Sequence, residues 1–529
     1  MFSGNLPGKM MFVLHAHLPY VRHPENDRHL EERWLFEAIT ETYIPLLRAM
    51  EHLEADGVRF KLTMSLTPTL LAMLEDELLR HRYLRFLDEH LELARREIER
   101  AEREAREYIH LAYMYRDRLA ECRYVFADKY ETFLARGFRR FYEAGSLEII
   151  TCAATHMFLP LAQSIPSAIK RQLAVGCAYH DRILGRRPEG IWLPECGYFP
   201  GLEAHLLDEG IRYFFIDTHG LEHGDPAPIY GVHAPVYCGN GVAAFGRDKE
   251  SSKSVWSAVE GYPGDGLYRD FYRDIGFDLP LDYVRPFIHD GHVRIHTGFK
   301  YHAITGKTVH KRVYDPARAY EKTIEHAGNF HFNRCEQVKH LAGAMDRPPL
   351  IVAPYDAELF GHWWFEGPQW LEHMIRQCAA HPHLVQLTTA PDYLAEFPAN
   401  QVITPAFSSW GDKGYSNFWL SGANEWVYAH FVELSHRMDE LASRFCRHDS
   451  EHVRRAVAQA ERELLLLQAS DWAFIMQTGA MVDYAVTRTK SHIANFNHIY
   501  EGLMTGTLAG EFLGDCEWKN NIFPNDLLL

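Results

Sequence analysis

The sequence predicts an α/β fold on a mainly parallel sheet, with helical additions. Three observations point there. Short apolar runs rich in β-branched and aromatic residues recur along the chain, helical patterns separate most of them, and two long stretches drop the alternation for helix alone. The strand-like runs are Met11–Leu14, Phe60–Leu66, Leu147–Cys152, Gly190–Leu193, Tyr213–Ile216, Val242–Phe245, Leu350–Ala353 and Leu384–Leu387, with helical patterns between them at Glu37–Leu53, Ala168–Leu184 and Gly201–Glu209. So many units suit a closed barrel better than a small open sheet, with a doubly wound sheet as the alternative. No G-x-G-x-x-G or G-x-x-x-x-G-K opens a helix after any of these strands, so nucleotide binding has no support.

The first break, residues 71–146, is rich in Glu, Arg and Leu and predicts a helical insertion. It reads as a hairpin of antiparallel helices whose i,i+4 charge pairs form a solvated face. The second lies in residues 401–529, a C-terminal helical domain with helices at Val427–Phe445, Glu451–Gln468 and Phe474–Tyr500. The larger domain is then 1–400, within which 196–250 reads as a small loop or insert region.

Composition bounds the function. At 529 residues, 47% hydrophobic and 24% charged, the chain has ample material for a large core. A net charge of −16 argues against nucleic-acid and anionic-membrane partners, which need basic surface. Nine cysteines, Cys446 among them, contain no C-x-x-C, so neither a disulfide framework nor a Cys-based zinc site is indicated. The apolar run Met10–Leu14 is too short for a signal peptide, and no run approaches the roughly 20 residues of a membrane span, so a cytoplasmic location is expected. Oligomeric state is not legible. The unusual counts are 13% aromatic residues and 32 His.

Polar residues gather where the strand-like runs end: His15 and His17, Thr155 and His156, Glu195, Asp217 with His219, then Tyr355, Asp356 and Glu358. In a parallel barrel those ends open on one face, so residues far apart in sequence converge. Glu195 follows Ile191-Trp192-Leu-Pro, which restricts it and partly desolvates it; a salt-bridged loop Glu is the plain alternative. Asp356 is followed by His362, Trp363 and Trp364, an aromatic surface that suits a stacked sugar ring. Two carboxylates facing one cleft meet the requirement for glycoside hydrolysis or transfer, one as nucleophile and one as acid then base. Trp256, Trp410 and Trp419 fall in Gly- and Asp-rich loops, where stacking on sugars competes with packing between domains. Asp471 and Trp472 in the helical domain are either core or cleft. His15 and His17 share a strand face, and with His156, His219 and Asp356 they mimic a barrel metallohydrolase, which stays open as a competitor.

Five motifs carry a resemblance: His15-Ala-His-Leu-Pro-Tyr, Thr155-His-Met-Phe-Leu-Pro, Gly190-Ile-Trp-Leu-Pro-Glu, Ala353-Pro-Tyr-Asp-Ala-Glu-Leu-Phe-Gly-His-Trp-Trp-Phe-Glu-Gly and Ser470-Asp-Trp-Ala-Phe. In order and in content they resemble glycoside hydrolase family 57, above all its α-1,4-glucan branching enzymes and related sequences named α-amylase. The resemblance implies an incomplete (β/α)7 barrel with a helical insertion and a C-terminal α-helical domain contributing to the glucan cleft. It implies a retaining double displacement that forms α-1,6 branches, without metal or cofactor, with an α-1,4-glucan as donor and acceptor. Glu195 would be the nucleophile and Asp356 the general acid/base. His15, His17, His156 and Asp217 would line the cleft, and Trp256, Trp410 and Trp419 match aromatic glucan-binding positions. Trp192, Trp363, Asp471 and Trp472, inside or beside the motifs, join them as substrate-binding candidates.

One departure bears on activity. The family's branching enzymes resemble one another in a mobile loop whose Tyr shields the intermediate from water. Here Tyr230–Arg247 passes through that region with the loop cut short, and Tyr237 is a candidate substitute. A shorter loop lets water compete with the acceptor, so hydrolytic side activity is expected and an α-amylase is the alternative.

Overall fold

The computed structural model describes residues 8–257, 259–288, 293–306, 308–445 and 447–529; the N-terminal residues 1–7 and Cys446 lie outside that set. The apolar run from Gly8 is buried along its whole length and forms the central strand β1 (Gly8–Ala16). A strand buried on both faces needs helices over both, and a parallel sheet with helical crossovers supplies them.

The strands that follow are β2 (Leu62–Leu66), β3 (Leu147–Ile150), β4 (Gly190–Ile191), β5 (Tyr213–Ile216), β6 (Val236–Tyr237), β7 (Ala243–Gly246), β8 (Leu350–Asp356) and β9 (Val385–Leu387). One sheet has the order β3-β2-β1-β8, with β9 beside the start of β1; the other has the order β4-β5-β7-β6. Every pairing is parallel except β6 with β7. The sheets meet at two points. Thr151 bridges Ile191 in parallel, and beyond β7 the Asp248 N–H donates to Val352 O of β8 at 2.9 Å.

The 196–250 stretch is therefore not a loop insert, because it carries β5, β6 and β7. Phe214, Phe215 and Ile216 alternate between buried faces and fix β5 in the sheet. The 71–146 insertion is helical, with helices Glu77–Glu104 and Ile109–Arg123 as its long pair. Ion pairs such as Arg95–Glu99 and Arg96–Glu92 lie on its exposed face. A further long helix, Pro316–Ala342, was not read from the sequence.

The C-terminal helices are Glu425–Phe445, Glu451–Leu467, Ser470–Thr478, Val482–Thr505 and Gly510–Lys519. The run expected as one helix, Phe474–Tyr500, breaks at Gly479 and Met481, both in the left-handed region (φ 84° and 58°). Gly479 adopts that conformation without a Cβ clash and ends the first piece. These helices are tied to the sheet at its functional end: Met157 bridges Ala469, and the Ser470 N–H donates to His156 O at 3.1 Å. Among the described residues, eight cysteines are free and buried, and no helix is long and apolar enough to cross a membrane.

Candidate active site

The C-terminal ends of the parallel strands surround a cleft of about 580 Å³. In register, His15 on β1 lies beside Asp356 on β8 and beside Ser65 on β2. Neighbouring residues of parallel strands at one level project to the same face, so β1 and β8 present an imidazole and a carboxyl side by side. β4 leads through Trp192 to Glu195, β3 through its loop to His156, and β7 to Arg247. All of these except Trp192 and Ser65 line the cleft, with Trp256, Trp363, Trp410, Trp419 and Asp471.

Glu195 follows Pro194 with φ 60° and ψ 25°, and Cys196 follows with φ 51°. Two successive non-glycine residues in the left-handed region store strain that the surroundings must hold, and such strain concentrates at functional sites. The Trp410 indole Nε1–H donates to Glu195 Oε2 at 2.7 Å, and the Trp410 backbone N–H donates to Glu195 O at 2.9 Å. The Trp410 loop comes close because Gly411 has no Cβ; one there would lie 2.7 Å from the Trp419 ring.

The imidazoles form a neutral relay. His15 Nε2 and His156 Nε2 are 3.0 Å apart, and His156 Nδ1 lies 2.8 Å from Ser470 Oγ. Burial pushes both pKa values well below the ordinary histidine range, so neither ring is charged. His15 Nδ1 is buried without a partner. A bare acceptor tolerates that better than an N–H, so His15 donates from Nε2 and His156 donates from Nδ1 to Ser470. His17 reaches Thr67 Oγ1 at 3.0 Å and Asp471 at 3.2 Å.

Burial dominates the acids. It raises Glu195 to about 8, with the Trp410 hydrogen bond opposing and the Asp356 and Asp471 charges adding. Burial raises Asp356 to about 6, opposed first by Arg247 and then by His17. Near neutral pH the pair therefore holds one proton and one negative charge, the stoichiometry that acid-assisted nucleophilic attack needs.

Four expectations need correction. Asp217 is buried and does not line the cleft; it pairs with Arg247 at 3.2 Å, and Arg247 takes the cleft position. His219 turns away, with Nδ1 on Asp217 and Nε2 on Gly414 O at 2.7 Å, so the five-residue metal constellation is not assembled. Trp472 is 1% exposed in the helical core, its Nε1–H donating to Leu466 O at 2.8 Å. Trp192 is fully buried and reaches the site only through its stack on His15 (centroids 4.9 Å) and its edge contact with Trp410. Among the described residues, a group whose spacing could hold a metal ion is instead His17, His156 and Asp471, whose ligand atoms lie within 4.8 Å of one another.

Four lining residues, Arg247, Glu358, Phe418 and Phe474, had no assigned role from the sequence. Arg247 stands at the end of β7 as the others stand at the ends of their strands, which was the available signal. Glu358 was visible at the strand end but had no role; it accepts from the Tyr43 hydroxyl and from the His17 N–H. Burial raises it to about 8. Phe418 and Phe474 pack together at 5.2 Å on the helical-domain side, a contact no local pattern announces.

With this geometry in place, the family relation is decided by a match over residues 11–405 to the model of glycosyl hydrolase family 57. The chain belongs to glycosyl hydrolase family 57. Residues 430–527 match the C-terminal domain described as that of 1,4-alpha-glucan branching enzyme. Among family 57 relatives, a 1,4-alpha-glucan branching enzyme of Thermococcus kodakarensis is 32% identical, over 98% of this chain and 78% of the relative. The crystal structure of the alpha-amylase AmyC from Thermotoga maritima is similar at TM-score 0.92 and 44% identity, covering 98% of each chain. The family 57 branching enzyme from Pyrococcus horikoshii is similar at TM-score 0.87 and 31% identity, covering 98% of this chain and 95% of the other.

Proposed function

We propose that the chain is an α-1,4-glucan branching enzyme with hydrolytic side activity, acting by retaining double displacement. The observation that carries this reading is that Glu195 and Asp356, from different strand ends, line one aromatic cleft and share one proton near neutrality. The Glu195 carboxylate attacks the anomeric carbon while Asp356 gives its proton to the departing glycosidic oxygen. An acceptor 6-hydroxyl then attacks the glucosyl ester, its proton passing to Asp356, and Glu195 leaves as carboxylate. Glu195 holds the shared proton more tightly, because Asp356 and Asp471 repel its anion while Arg247 and His17 favour that of Asp356, so the proton must sit on Asp356 in the productive complex. The Trp410 N–H assists by stabilising the Glu195 anion.

The same reading takes the strands as an incomplete (β/α)7 barrel. Its support is a run of seven parallel strands, β1 to β5 with β7 and β8, with β9 an eighth parallel strand beside the start of β1, and the Thr151–Ile191 and Asp248–Val352 contacts that join the two sheets. Domains of 1–400 and 401–529 then share the cleft, since Trp410, Trp419, Asp471 and Phe474 come from the second. A cytoplasmic location accords with the free cysteines.

An α-amylase-type hydrolase is the second reading, favoured by the 44% identity to AmyC and by the place of Tyr237. That residue lies on β6 with its hydroxyl on Pro398 O at 3.1 Å, outside the cleft lining, so it does not shield the intermediate. Counting α-1,6 linkages against new reducing ends after incubation with amylose separates the two. Branching requires α-1,6 product; reducing ends alone leave the amylase.

A further inference from the structure

A second groove, of about 860 Å³, opens from the cleft. The two share Trp256, Asp356 and Trp363 in their linings, but among the described residues Glu195 lines only the first. We propose that this groove, walled by Phe271, Tyr272 and Lys311, holds the acceptor glucan and sets the partition between transfer and hydrolysis. The proposal rests on the retaining glucan chemistry inferred above.

The side of the reaction follows from which carboxyl the groove touches. The acid/base group meets the leaving oxygen in the first step and the attacking hydroxyl in the second, and the nucleophile meets neither. A groove that reaches Asp356 without Glu195 is therefore on the leaving-group and acceptor side. Continuity with the cleft lets one chain run from the reacting carbon into the groove.

Its walls suit a neutral sugar chain. Trp363 is 55% exposed and Tyr272 76% exposed, large apolar rings that lie open unless something covers them. Phe271 stacks beneath Trp363 at 4.4 Å and 25°, and meets Tyr272 edge-on at 5.3 Å. Lys300 lies 4.9 Å from the centre of the Phe271 ring and is held by Asp274 at 3.1 Å, so the platform has a fixed base. Asp270 and Lys311 pair at 2.7 Å in the wall, presenting hydrogen-bonding groups to hydroxyls with no net charge to demand an ionic ligand.

The test titrates a short maltooligosaccharide acceptor against a fixed amylose donor and counts transfer product and reducing ends. For Tyr272→Ala the acceptor concentration giving half-maximal transfer is expected to rise about tenfold, with a matching shift toward hydrolysis. Tyr272→Phe, which keeps the ring, restores both. Tyr320→Ala, at a 49% exposed position on the helix Pro316–Ala342, keeps the parent values. If the parent transfers glucan and Tyr272→Ala shows its acceptor dependence and partition, the groove assignment is overturned alone. If the parent cleaves no α-glucan, the underlying functional reading falls with it.

Discussion

Trp410 holds Glu195 at both ends, its indole N–H on the carboxylate at 2.7 Å and its backbone N–H on the carbonyl at 2.9 Å. The residue that shapes the strained loop thus also stabilises the anion that loop must present. Trp410→Phe keeps an aromatic ring and the backbone bond, and removes the indole donor together with part of the packing on Trp192. Because a hydrogen bond to a charged group is lost, kcat/KM is expected to fall about 10- to 100-fold. The Glu195 carboxyl loses a partner of its ionised form, so the alkaline limb of the pH profile should move up. Steady-state kinetics on amylose across pH measures both.

The acids themselves set the profile. Below about 6 both Asp356 and Glu195 carry protons and no nucleophile exists; above about 8 both are ionised and no acid exists. Activity should therefore be bell-shaped, with limbs near those values that belong to the pair. A plateau from pH 4 to 10 would contradict it.

Glu358 tests a subtler point. Its raised pKa keeps it protonated at neutral pH, and its oxygen accepts from Tyr43 and from the His17 N–H. Glu358→Gln preserves an acceptor of the same shape and should stay within about threefold, whereas Glu358→Ala leaves two donors unmet and should cost about tenfold or more. The comparison of kcat between the two variants decides it.

Asp217 acts through Arg247. Asp217→Asn removes the charge that holds the guanidinium, which also lies 5.7 Å from the centre of the Trp410 ring. The expected loss is about tenfold in kcat/KM, with the acid limb rising, because a displaced Arg247 no longer lowers the Asp356 pKa. An unchanged acid limb would detach Arg247 from that role.

Metal is tested directly. His17, His156 and Asp471 already bond to one another or to Thr67, Ser470 and His15. Exhaustive chelation is expected to leave the rate within about twofold. Loss of activity restored by a divalent cation would favour metal-assisted hydrolysis.

Much of this site was legible because strand ends carry its chemistry. His15, Glu195 and Asp356 each follow an apolar run that could only be a buried strand, and the C-terminal ends of parallel strands share a face. What stayed hidden depended on side-chain direction and long-range packing. The pattern that places Asp217 at a strand end does not reveal that it turns to Arg247. Trp472 lies in a motif with Asp471, but one turns to the cleft and the other to the helical core, as successive helix positions do. The two-residue strand β6 is too short for any periodicity, and the apolar pattern of the continuous helix Pro316–Ala342 is broken by Gly328 and by polar residues on its buried side, Thr323 and Arg334 among them.

The most direct test of the account is to trap the intermediate. Asp356→Asn slows turnover of the glucosyl ester, so incubation with an activated α-maltosyl donor, acid quenching and peptide mass mapping should find one glycosyl adduct on the peptide that contains Glu195. An adduct on another carboxyl, or a product released with inverted anomeric configuration and no adduct, would contradict the double displacement at Glu195.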